Sequence, residues 1–68
     1  MLSKLIAAYY RLRIAHFEHL TDVLIADQNV AVDEGNASAV LTIEHEILAL
    51  QADCGVFRRK LRALPQPT

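Results

Sequence analysis

The sequence predicts an all-α fold: an antiparallel two-helix hairpin, with helices over about 2–33 and 37–64, that dimerises into a four-helix bundle. Three observations predict it. Helix breakers are scarce, since the 68 residues include two Gly and two Pro, and both prolines fall in the last four positions. The one internal break, Asp33-Glu34-Gly35-Asn36-Ala37-Ser38, sits near the middle of the chain. After that break, apolar residues recur alternately three and four positions apart, at Val40, Ile43, Ile47, Leu50, Cys54, Phe57, Leu61 and Leu64, the spacing of a coiled-coil seam.

The first helix carries a broader apolar face of Leu2, Leu5, Ile6, Tyr9, Leu12, His16, Leu20, Val23, Leu24 and Val30, with Phe17 on its flank. A face that wide packs against more than one helix. Polar Asp27-Gln28-Asn29 followed by β-branched Val30 and Val32 offers an earlier stop, and Asp27 on the inner side would be costly to bury unpaired. In the turn, Gly35 suits the left-handed residue that closes a helix, and Asn36 or Ser38 can cap the next one. Leu64-Pro65 ends the second helix, leaving 65–68 as a disordered tail.

A chain this short is one domain, and its single core is marginal unless a metal, a disulfide or another chain adds to it. The lone Cys54 has no internal disulfide partner, which together with the composition points to a reduced, cytoplasmic setting. No run approaches the roughly 20 apolar residues that cross a bilayer, and the N-terminal apolar stretch is too short for a signal sequence.

Each helix also carries a second apolar stripe: Ala7, Tyr10, Ile14, Thr21 and Ile25 on the first, Leu41, His45, Leu48, Ala52 and Gly55 on the second. A two-helix hairpin cannot bury both sets, and an extended apolar patch on a small protein marks an interface. The expected oligomer interface is therefore Tyr10, Ile14, Ile25, Leu41, His45 and Leu48, with a second copy as the partner. The charges are segregated: Lys4, Arg11, Arg13, Arg58, Arg59, Lys60 and Arg62 lie at the two chain ends and every acid lies between them. Folding back at the turn gathers those cations into one basic pole opposite an acidic one. Head-to-tail pairing of two hairpins then sets each basic pole beside the partner's acidic turn.

His16, His19, Asp53 and Cys54 fall at one level of such a hairpin and are zinc-ligating residue types, but the spacing matches no zinc motif, and the reading is a core histidine beside a small buried cysteine. His16 at the centre of a packed face would make association acid-sensitive. Successive residues on a helix diverge, so Glu44-His45-Glu46 reads as a solvated face. No catalytic, cofactor-binding or metal-binding residue is assigned. The resulting expectation is a non-enzymatic association module acting as a homodimer, an adaptor, chaperone-like protein or small regulator that also contacts another protein. The alternative is binding of nucleic acid or anionic membrane through the basic pole, against which stand the acidic pole and the pI of 6.2.

Overall fold

The computed structural model describes residues 2–65 and is an all-helical hairpin: α1 spans Leu2–Asp33 and α2 spans Ala37–Ala63. It is a rod about 53 Å long and 14 Å across. The helices run antiparallel, as the Gln28 amide reaching the Val40 carbonyl at 3.3 Å near the turn and the Glu18–Arg58 pair further along both require. α1 continues unbroken past Asp27, which is exposed, so the earlier stop is not used.

The turn is built as its residues suggest. Gly35 has a φ of +70°, and its N–H donates to Val32 O at 3.0 Å while the Asn36 N–H donates to Ala31 O at 2.9 Å. This pair of bonds is a Schellman closure, which satisfies carbonyls that the end of α1 would otherwise leave open. Asn36 then begins α2, its side-chain oxygen accepting the Ala39 N–H at 3.1 Å. At the far end Leu64 is already extended, as the residue before Pro65 must tend to be, and Lys60 and Arg62 in the last turn complement the helix dipole. Of the expected disordered tail, Pro65 is exposed and 66–68 lie outside the described residues.

The seam of α2 packs as its spacing predicts: Ile47 and Cys54 are buried, and Val40, Ile43, Leu50, Phe57, Leu61 and Leu64 are half-buried. α1 is rotated from the expected orientation. Ile6, Leu20 and Leu24 face inward, but Leu2, Leu5, Tyr9, Leu12, His16, Val23 and Val30 are exposed. The inward side is instead Ala7, Tyr10, Arg13, Ile14, Phe17, Thr21, Gln28 and Ala31, with Phe17 and Ala31 the most buried residues of the helix.

The reason is fit rather than apolar content. Phe17 meets Phe57 with ring centroids 5.7 Å apart, Tyr10 meets the same ring at 5.8 Å, and Ala7 and Ala31 add little bulk on the inward side. The polar members of that side are bonded: Thr21 Oγ1 donates to Phe17 O at 2.8 Å, and Gln28 to Val40 O. No side chain among the described residues is fully enclosed, as expected for two helices with no third layer.

Candidate functional site

Two surfaces stand out, and the first is the open end of the hairpin, where the start of α1 meets the end of α2. There Tyr9, Tyr10, Phe17 and Phe57 form an aromatic cluster, with Tyr9 edge-on to Phe57 at 6.3 Å. The sequence-predicted cations gather around it, but they are not equivalent. The Arg13 guanidinium carbon lies 5.0 Å from the Phe17 ring centroid and 5.8 Å from that of Phe57, and Lys60 Nζ lies 5.4 Å from the Phe57 centroid. Arg58 donates to Glu18 at 2.7 Å, a half-exposed pair whose hydrogen bond, followed by the nearby Cys54, raises the guanidinium pKa. Lys4, Arg11 and Arg62 instead line an open groove with Ser3, Ala7, Leu61, Leu64 and Pro65. Arg59 is exposed beside them.

The second surface is the outer face of α1. Leu2, Leu5, Tyr9, Leu12, His16, His19, Val23, Ala26 and Val30 alternate three and four residues apart along the whole helix, and all nine are exposed. Leu2, Leu5 and Leu12 are each about 70% exposed, so neither α2 nor the turn covers this line. At 100° per residue its positions lie about 60–180° around the helix from Phe17, centred near 120°. Seven of the nine, all but His19 and Ala26, belong to the apolar face read from the sequence; what sequence reasoning missed is that these seven point outward.

The six residues expected at an oligomer interface divide in two. Tyr10 and Ile14 are half-buried within the hairpin, Tyr10 against Phe57, and so do not form an outer stripe. Ile25, Leu41, His45 and Leu48 are exposed. Glu18–Arg58 and Tyr9–Phe57 mark opposite sides of the hairpin, and helical spacing puts Ile25, Leu41 and Leu48 on the Arg58 side, away from the outer line of α1, which contains Tyr9.

No family model, curated protein or solved structure matches the chain. The surfaces have to speak through their chemistry. A groove beside Cys54 is lined by Glu18, Thr21, Asp22, Gln51 and Arg58, so carboxylates, a hydroxyl and a guanidinium border the buried thiol there and no imidazole does. His16 and His19 are exposed while Cys54 is buried, and no group of three or more His, Cys, Asp or Glu that could hold a metal occurs within the chain among the described residues. His16 therefore sits on the outer face and not at the centre of a packed core, its ring centroid 6.3 Å from that of Phe17. Glu44, His45 and Glu46 are all exposed. No described helix is long and apolar enough to cross a membrane.

Proposed function

We propose that this protein is a non-enzymatic helical association module that works as a homodimer, two hairpins forming a four-helix bundle in the cytoplasm, with a second protein as the further target of an adaptor, chaperone-like or small regulatory role. The observation that carries the reading is the uncovered apolar line running the length of α1. In water such a line is unfavourable by roughly 25 cal/mol for each Å² of apolar surface left exposed, and a second hairpin is the simplest cover. The size of the hairpin argues the same way, since a layer of two helices at this length has little core of its own to stabilise it.

Sedimentation velocity on the untagged chain at micromolar concentration tests this. A stable dimer is expected, and a folded monomer across the range would overturn it.

A second reading has one observation in its favour, the groove lined by Lys4, Arg11 and Arg62, which would suit a phosphate-bearing polymer or an anionic membrane. The acidic half of the same rod repels both. Arg13, Arg58 and Lys60 are engaged by aromatic rings or by Glu18, which leaves a smaller free basic patch than the seven cations suggest.

A further inference from the structure

Two exposed histidines, His16 and His19, stand one helical turn apart at the middle of the outer line of α1. Among the described residues neither ring is hydrogen-bonded, so the hairpin itself makes no polar use of them. A polar pair interrupting an apolar seam is unfavourable if a partner covers it and leaves the ring nitrogens without partners. That pair also marks the centre of symmetry of the seam. Antiparallel pairing of two copies about the midpoint between them matches Leu5 with Val30, Tyr9 with Ala26, Leu12 with Val23 and His16 with His19, apolar to apolar from Leu5 to Val30 and imidazole to imidazole in the middle, with Leu2 left beyond the match opposite Asp33.

Resting on the homodimer reading above, we propose that the outer face of α1 docks antiparallel on the same face of a second copy, and that His16 and His19 of both chains meet at the two-fold axis as a four-imidazole site for a divalent transition metal of the zinc class. Charge selects the second copy and its direction. Antiparallel docking sets the basic end of one rod, with Lys4 and Arg11, beside the acidic turn end of the other, where Asp27, Asp33 and Glu34 are exposed, whereas parallel docking opposes like poles at both ends. Each copy supplies two imidazoles, so the pair supplies the four nitrogen ligands that a closed tetrahedral site needs, and neither copy has them alone. A metal bound only by the dimer stabilises the dimer by mass action, and acid releases it because protonated imidazole is no ligand.

The experiment is sedimentation of the untagged chain at pH 7.5 in EDTA and in stoichiometric Zn²⁺, with helicity checked by circular dichroism and bound zinc counted on the dimer. Wild type is expected to bind one zinc per two chains and to lower its dimer dissociation constant at least tenfold. The double variant His16→Ala, His19→Ala is expected to dimerise in EDTA and to ignore zinc, and Leu12→Lys to stay helical and become monomeric. No zinc effect on wild type, or the same effect in the histidine variant, would overturn the metal site. A dimer untouched by Leu12→Lys would overturn the face while leaving the homodimer reading standing. A wild type that stays monomeric with and without zinc sinks that reading itself, and Leu12-dependent binding of that monomer to phosphatidylserine vesicles would assign the face to a membrane.

Discussion

Arg13 lies across Phe17, its guanidinium carbon 5.0 Å from the ring centroid, while its Nε is buried without a hydrogen-bond partner. The two effects oppose each other. A cation over an aromatic face contributes about 0.5–1 kcal/mol near a surface, and an unsatisfied buried donor costs about 1–3 kcal/mol. The second wins or breaks even, so Arg13→Met, which keeps the aliphatic packing and removes the donor, should be no less stable than wild type in urea unfolding. Arg13→Ala loses the packing as well and should be less stable by about 1 kcal/mol.

The rotation of α1 predicts opposite outcomes for neighbouring residues. Phe17→Ala removes a buried ring at a cost of about 3–5 kcal/mol, comparable to the whole stability of so small a core, and should abolish the cooperative thermal transition. Leu12→Ala, on the outer line, should leave helicity intact at low protein concentration and act only on association. If Leu12→Ala unfolds the isolated hairpin and Phe17→Ala does not, α1 packs through the other face.

At the turn, Gly35 adopts a positive φ, and a Cβ placed there meets nothing within 4 Å. Gly35→Ala should therefore cost about 1–2 kcal/mol from backbone conformation alone, with Gly35→Asn costing less. Asn36→Ala removes the cap on the Ala39 N–H and should cost about 1 kcal/mol. Chemical denaturation of the three variants gives the order.

Two candidate faces for a partner can be told apart by charge insertion. Leu12→Lys strikes the outer line of α1, and Ile25→Lys strikes the Arg58 side, where Leu41 and Leu48 are also exposed. Dimerisation through the α1 line should be lost in the first variant and kept in the second. Ile14→Lys is not a usable probe, because Ile14 is half-buried within the hairpin and the substitution would perturb folding itself.

For the basic end, binding to a single-stranded oligonucleotide at about 150 mM salt should be weaker than about 100 μM, the weak end of non-specific binding. Tighter binding that is lost on replacing Lys4, Arg11 and Arg62 by Gln would favour the phosphate-binding reading over association.

The chain by itself determined that there are two helices, where they turn and which side of α2 faces inward. It has only two glycines, of which Gly35 at the one internal break has the freedom a left-handed closure needs, and α2 has one strong apolar line from Val40 to Leu64. The cations fall at the two ends of the sequence, with every acid between them. The rotation of α1, and with it the surface left for a partner, was decided only in three dimensions. α1 carries two apolar lines about 100° apart, and a pattern along one dimension cannot choose between them. The larger count, from Leu2 to Val30, pointed the wrong way. What decided was the match of Phe17 and Tyr10 to Phe57, together with hydrogen bonds for Thr21 and Gln28 on the inward side, so the longest apolar line of the protein was left facing outward.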